Sequence, residues 1–177
     1  MNGSYFGKFK GEVVEVEGSS DKLGRIRVKV PDVSGPHTSN WALPCLPVTG
    51  DDMGFLAIPQ VGTDVWVEFE QGDVNRPIWT GGFWKEKGDL PSSSAVQNPA
   101  NNPGEHIVIQ NVWQGAKSTL ILSGTSPSES AGGIILQAGS SKIVVNDSGI
   151  YIDNGKGAKI VLRSNSVTVN DGALEVM

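Results

Sequence analysis

The last third of the chain repeats itself with a period of 17 residues. Residues 142–145 match residues 159–162, and residues 150–153 match residues 167–170. In each copy, apolar side chains alternate with polar ones, which is typical of a strand with one buried face. A fixed period of this length predicts a stacked, quasi-one-dimensional array of short strands.

The same pattern extends through the whole second half of the sequence. Gly, Ser, Asn and Asp residues separate eight short apolar runs, and each run predicts a strand. The predicted strands are residues 106–110, 119–123, 134–138, 142–146, 150–153, 159–162, 167–170 and 174–176. Beyond residue 105 the aromatic residues are Trp113 and Tyr151, so the sequence offers little to cover the apolar side of these strands.

One copy of such a ribbon cannot bury its apolar face, because no helix is predicted to pack on it. Three copies around a common axis would share one core and leave Ser, Thr, Asn and Lys side chains outside, together with Tyr151. We therefore expect a trimeric β-helix or β-prism needle. The residues predicted in its core are Ile143, Val145, Ile150, Ile152, Ile160, Leu162, Val167 and Val169.

The first half predicts a different all-β object. Residues 25–30 alternate so that Ile26, Val28 and Val30 face one side, and residues 65–70 alternate in the same way. Further strands are predicted at residues 13–17, 42–46, 55–58 and 78–83. Five or six strands with one inward face each favour a small closed barrel, since closure removes exposed sheet edges.

A linker separates the two halves. Residues 85–105 contain three Pro, three Ser and three Asn without an apolar period. We therefore predict a barrel domain at residues 1–84, a linker at 85–105 and a needle domain at 106–177.

Several motifs of the first half occur in a known family. Residues 23–31 read LGRIRVKVP, similar to a G-R-V-R-V-x-V-P strand, and residues 54–69 read GFLAIPQVGTDVWVEF, similar to G-x-x-x-x-P-x-V-G-x-E-V-x-V-x-F. Residues 41–44 and 72–81 add matches in the same order. Over about residues 7–84 the chain resembles the OB-fold of central spikes of contractile injection systems. These include phage baseplate assembly protein V, phage cell-puncturing lysozymes and type VI valine-glycine-repeat spikes. The second half resembles their needle in composition and repeat.

The resemblance implies a structural tail spike, a homotrimeric needle that pierces a target cell envelope during transient contact. It implies a separate hub protein at the barrel end, with Arg25, Arg27, Lys29 and Trp66 as hub or trimer contacts. It also implies a PAAR-like tip protein at the C-terminal end. The chain closes on an apolar strand there, so Leu174, Val176 and Met177 are the candidate contacts.

The sequence also departs from some family members. The interval between barrel and needle is too short for a lysozyme domain, and about six residues precede the barrel, so we expect the hub on another chain. An iron-binding His-x-His tip is missing, since the two histidines are His37 and His106. The N-terminal sequence lacks a signal-peptide pattern, and we expect assembly in the bacterial cytoplasm into the baseplate of a virion or injection particle.

Two other functions remain open at this point. A β-helical polysaccharide-degrading tail enzyme would need clustered acidic and basic residues, but those of the second half are scattered. An oligonucleotide-binding barrel could use Arg25, Arg27 and Lys29 with Trp66, although a net charge of −5 speaks against it. We expect no catalytic residue, no metal and no cofactor. Cys45, in the apolar run at 42–46, is expected to be a small buried residue.

Overall fold

The computed structural model describes residues 4–18, 23–91, 104–171 and 173–176. The chain divides into two compact units, Met1–Lys85 and Glu86–Met177. Both consist almost wholly of strands and turns, which confirms the all-β prediction. Within the described ranges, no helix is long and apolar enough to span a membrane.

The first unit is a small curled sheet of five strands. Along the chain, its β-strands are β1 (Phe9–Val16), β2 (Ile26–Lys29), β3 (Leu43–Pro44), β4 (Thr49–Gly50), β5 (Met53–Gly54), β6 (Asp64–Phe69) and β7 (Pro77–Gly82). The sheet order is β2-β1-β6-β7-β3, and β4 and β5 form a separate hairpin. Ile26 and Ala42 exchange two backbone hydrogen bonds of 3.2 and 2.8 Å, which join β2 to the start of β3. The predicted closed barrel is therefore confirmed.

The alternating positions of β2 and β6 build the barrel core. Ile26 and Val28 on β2, and Val65 and Val67 on β6, are fully buried. Trp79 on β7 joins them, and its indole Nε1 donates a 3.1 Å hydrogen bond to the carbonyl oxygen of Gly24. This bond satisfies the one polar atom of a side chain that is otherwise apolar.

Three details of the barrel differ from expectation. Residues 55–58 are not a strand: Asp52, with φ +49°, turns the chain into the β4–β5 hairpin, and the following segment adds no strand to the closed sheet. A short helix α1 (Pro31–Ser34) follows β2, because proline favours the first turn of a helix. A 3₁₀ helix at Glu70–Gly72 follows β6.

Cys45 is exposed, so the prediction of a small buried residue is wrong. Its backbone N–H donates to the carbonyl oxygen of Trp79 and continues the pairing of β3 with β7. The side chain that enters the core from this segment is that of Ala42.

The second unit is an eight-stranded antiparallel meander. Each of the eight predicted strands is present: β8 (His106–Trp113), β9 (Ala116–Ser123), β10 (Gly133–Ala138), β11 (Ser141–Asn146), β12 (Gly149–Asp153), β13 (Lys159–Arg163), β14 (Ser166–Val169) and β15 (Leu174–Val176). The strands are hydrogen-bonded in chain order. Of the predicted linker, a 3₁₀ helix at Lys87–Asp89 is described, and residues 92–103 lie outside the described part.

Candidate self-association surface

The eight-stranded sheet carries two columns of aliphatic residues on one face. In an antiparallel meander, residues directly opposite each other project to the same side, so cross-strand pairs can be followed from β8 to β15. The first column is Ile107, Leu122, Ile134, Val145, Ile150, Leu162 and Val167. The second is Ile109, Leu120, Leu136, Ile143, Ile152, Ile160, Val169 and Leu174. These fifteen residues are called the aliphatic face below.

The aliphatic face is open to solvent in the single chain. Thirteen of its residues are exposed, from 36% at Leu162 to 63% at Ile107, and Leu120 and Val169 are half-buried. A contiguous apolar surface of this extent is uncommon on a monomer and marks an interaction site. All eight residues predicted for the needle core lie on this face.

The opposite face holds a column that the chain buries by itself. Ile121, Ile135 and Val144 are fully buried, and Tyr151 is 3% exposed. Tyr151 faces away from the aliphatic face, and its burial within the single chain was not predicted from the sequence. The single chain therefore buries a column of residues on one face of the sheet and leaves the aliphatic face exposed to solvent.

Side chains of β11 and β13 form hydrogen bonds with the loop between β9 and β10. Arg163 donates to Glu129 of the loop at 2.7 Å and to the Tyr151 hydroxyl at 3.2 Å. The hydrogen bond with Ser148 and the Arg163 guanidinium lower the pKa of Tyr151. Asn146 Nδ2 donates to loop carbonyl oxygens at 2.8 to 3.2 Å. These bonds tie the loop to the face opposite the aliphatic face.

The basic row of the barrel is paired with acids of its own sheet. Arg25 Nε donates to Glu17 at 2.9 Å, and this hydrogen bond lowers the pKa of the Glu17 carboxyl. Arg27 lies 3.5 Å from Glu15 and stacks over the ring of Trp41. The paired carboxylates reduce the positive potential that an oligonucleotide site would need.

The other two barrel candidates lie apart from this pair. Lys29 is exposed at the end of β2. Trp66 is half-buried on β6, with its ring 4.8 Å from that of Phe83. Since β1 lies between β2 and β6, the structure does not bring Trp66 next to the basic row.

Stability of the barrel should depend on pH through Glu17. A carboxyl whose pKa is lowered by folding stabilises the folded state above its ordinary pKa, and this stabilisation is lost as the pH falls through the folded-state value. We expect Glu17→Gln to flatten the dependence of the urea midpoint on pH in the acid range. Tryptophan fluorescence is a suitable probe, since four of the five tryptophans lie before residue 85.

Arg25→Gln is the matched control for that experiment. It should remove the same pH dependence of the urea midpoint. The double variant should show no further loss of this pH dependence, because both changes break the same interaction. An unchanged pH profile in Glu17→Gln would contradict the assignment.

The candidate tip residues are described in part. Leu174 on β15 is 60% exposed, and Val176 lies on the same strand. Met177 lies outside the described residues. His106 contacts Ser123 Oγ at 3.1 Å, and among the described residues no group of three or more His, Cys, Asp or Glu side chains could hold a metal ion.

Sequence reasoning missed the part of the aliphatic face on β8 to β10, which is called its upper part. The 17-residue repeat begins at residue 142, so Ile107, Leu122, Ile134 and their neighbours in the second column were left out of the predicted core. The available signal was alternation within each strand: residues 106–110 and 119–123 place apolar side chains at every second position.

Both units match described protein domains. Residues 9–84 match the type VI secretion system/phage-baseplate injector OB domain. Residues 106–175 match the phage baseplate V C-terminal trimerisation domain. The two matched ranges together span most of the chain.

Curated relatives resemble part of the chain. The type VI secretion system spike proteins VgrG2a and VgrG1a of Pseudomonas aeruginosa are 37% and 32% identical over 72 and 86 residues, or 34% and 46% of this chain. The actin cross-linking toxin VgrG1 of Vibrio cholerae is 35% identical over 65 residues, or 34% of this chain. These alignments cover 8%, 13% and 6% of the respective relatives, so the chain spans a small part of their length.

Proposed function

This chain belongs to the phage baseplate V family, and from that premise we propose that it is a structural spike in the baseplate of a contractile phage tail or related injection system. In this proposal three copies form a needle that pierces the envelope of a target cell. The chain acts mechanically and not as an enzyme, without a cofactor or metal.

The open aliphatic face is the observation that carries the proposal. A match to a trimerisation domain covers the same residues, which supports a homotrimer. Three copies would turn six aliphatic columns toward one axis and remove them from water. At about 25 cal/mol per Å² of buried apolar surface, this burial is the main favourable contribution to assembly.

The strand arrangement suits a load along the needle axis. Neighbouring strands lie about 4.8 Å apart, so eight stacked strands extend over about 40 Å. Every step along that axis is bridged by backbone hydrogen bonds within one chain. A dry aliphatic core with continuous ladders resists bending and compression, which is what penetration of an envelope demands.

We propose one partner for each unit. A separate hub protein would bind the barrel, where the candidate contacts of the hub or of the other copies are Arg25, Arg27, Lys29 and Trp66. A PAAR-like tip protein would bind at the C-terminal strand β15, where the candidate contacts are Leu174, Val176 and Met177. Assembly would take place in the bacterial cytoplasm, and contact with the target envelope would be transient.

Native mass tests the first step of the proposal. Light scattering of the purified full chain should give three times the 18.7 kDa of one copy, and a monomer would contradict it. The second step is tested in the parent particle. Particles that lack this chain should contract without permeabilising target cells, and the wild-type chain should restore permeabilisation.

Each of the two alternative functions predicts an activity that the spike proposal does not. A polysaccharide-degrading enzyme would release sugars from purified peptidoglycan or capsular polysaccharide, and clear turnover would overturn the mechanical proposal. An oligonucleotide-binding barrel would give a salt-dependent gel shift. We expect neither result.

A further inference from the structure

The hairpin of β8 and β9 projects beyond the rest of its sheet. Strand β10 pairs with residues 118–123 of β9, whereas β8 and β9 continue through the pairs Val112–Lys117 and Trp113–Ala116. Gln114 and Gly115 form the turn with φ of +48° and +81°, as in the two-residue turns that match strand twist. The hairpin end is therefore a regular extension of the ladder.

Trp113 stands on the aliphatic face at the tip of this hairpin. It follows Ile107, Ile109 and Asn111 at every second position, so all four project to the same side. Its side chain is 59% exposed. Tryptophan is one of the residues enriched at binding hot spots in well-packed pockets. Here it lies at the margin of an exposed apolar surface.

A groove lies between Trp113 and the second column. Asn111, Ser118, Ala138 and Ser141 form a third column of small residues in register. Beside it stand the larger aliphatic residues of the second column, and together they line an open groove on this face. The second column borders the groove on one side, and Trp113 follows two positions beyond Asn111 on the other.

We propose that this groove and Trp113 form a clasp that holds the first column of a neighbouring copy, at Ile107, Leu122 and Ile134. This inference rests on the proposed trimer. Ile107 and Ile134 are 63% and 47% exposed, against 36% to 39% for first-column residues on β11 to β14. The upper first column thus presents more apolar surface for a partner to cover.

A second copy is the occupant that the structure favours. The trimerisation match covers residues 106–175, which include the hairpin, the groove and the first column. The groove is continuous with the aliphatic face. The groove and the first column are different surfaces of one chain. Their contact is therefore heterologous and closes when the rotation returns to the first copy after three steps.

The clasp would fix the axial register of the three chains. The two columns repeat one aliphatic residue per strand, so a slip by one strand, about 4.8 Å, would replace each aliphatic contact by a similar one. Trp113 and the small-residue column occur at the β8–β11 end. Their fit selects one register among those that the columns alone would tolerate.

Disulfide trapping tests the clasp in the full chain. In a Cys45→Ser background, Trp113→Cys with Leu122→Cys should form a covalent trimer under oxidation, seen on a non-reducing gel. A bond within one chain is excluded, because Leu122 lies six positions along β9 from Ala116, the partner of Trp113. That is about 20 Å, and a disulfide requires Cα atoms within about 7 Å.

Val112→Cys with Leu122→Cys is the matched control. Val112 lies on the same hairpin but faces the other side of the sheet, so no covalent trimer is expected. A native trimer without cross-linking in the Trp113 pair, or equal cross-linking in both pairs, would overturn the clasp and leave the proposed spike intact. A monomer by native mass in the unmodified chain would overturn the proposed spike itself.

A truncation gives an independent readout. Trp113→Ala should accelerate subunit exchange between labelled trimers by at least about tenfold, as expected for loss of a hot-spot aromatic. Trp84→Ala, which removes an equally exposed tryptophan of the first unit, should leave exchange unchanged. Equal exchange rates in the two variants would contradict the clasp.

Discussion

Replacement of Ile152 by aspartate should abolish the trimer. Ile152 lies in the second column, directly between Ile143 and Ile160 on the neighbouring strands. In the proposed needle, three such carboxylates would be buried near the axis without a cation. Burial of one unpaired charge costs several kcal/mol. Three such charges in one trimer should cost more than the remaining aliphatic contacts contribute to assembly. Light scattering should report the mass of one copy.

Gln137→Asp is the control for this variant. Gln137 lies on the opposite face of β10, and its cross-strand neighbour on β11 is Lys142, so an added carboxylate there has a cation nearby. The native mass should remain that of a trimer. A trimeric Ile152→Asp variant would show that the aliphatic face is not the assembly surface, and the spike proposal would then lose its main support.

Much of this architecture could be predicted from local alternation. Period-two patterns in β2 and β6 identified the inward residues of the barrel, and the 17-residue repeat identified the lower half of the aliphatic face. These inferences succeed because each strand has one apolar side, and a shift by one residue would reverse it. The alternation carries both the strand assignment and the face assignment.

The failures come from interactions between distant segments. Residues 55–58 have a strand-like composition, but the barrel is already closed through Ile26 and Ala42, so they find no ladder to join. Tyr151 is buried because it lies in a column with Val144 on the side to which Arg163 and Asn146 tie a loop. That loop, rich in Ser and Gly, has no period that would reveal its position.

The same contrast between local pattern and distant contacts applies to the candidate self-association surface. The aliphatic residues follow from pattern, and the tryptophan at the hairpin tip does not. In the sequence, Trp113 is an isolated aromatic residue next to a turn. Its position beside the groove depends on where the pairing of β10 with β9 ends. That pairing ends at Ser118, five positions along β9 from Ser123. Differences in strand length, which local patterns define poorly, create the projecting hairpin.

Replacement of Gly133 by alanine should prevent the second unit from folding. Gly133 begins β10 with φ +75°, where glycine is favoured. An added Cβ would lie 2.7 Å from Asn146 Cβ and closer still to the carbonyl oxygen of Val145. Both belong to β11, so relief would break the β10–β11 ladder and disturb the Asn146 bonds that hold the adjacent loop. We expect a cost of about 3 kcal/mol or more per chain.

Gly139→Ala separates this clash from backbone strain. Gly139 follows the other end of β10 with φ +59°, but its added Cβ would meet no atom within 4 Å. Its cost should be about 1–2 kcal/mol, that of an alanine in the left-handed region. Far-UV circular dichroism during heating should therefore show a folded trimer with a lower Tm for Gly139→Ala and loss of the second unit's strand signal for Gly133→Ala. Equal melting of the two variants would contradict the predicted clash between an added Cβ at Gly133 and β11.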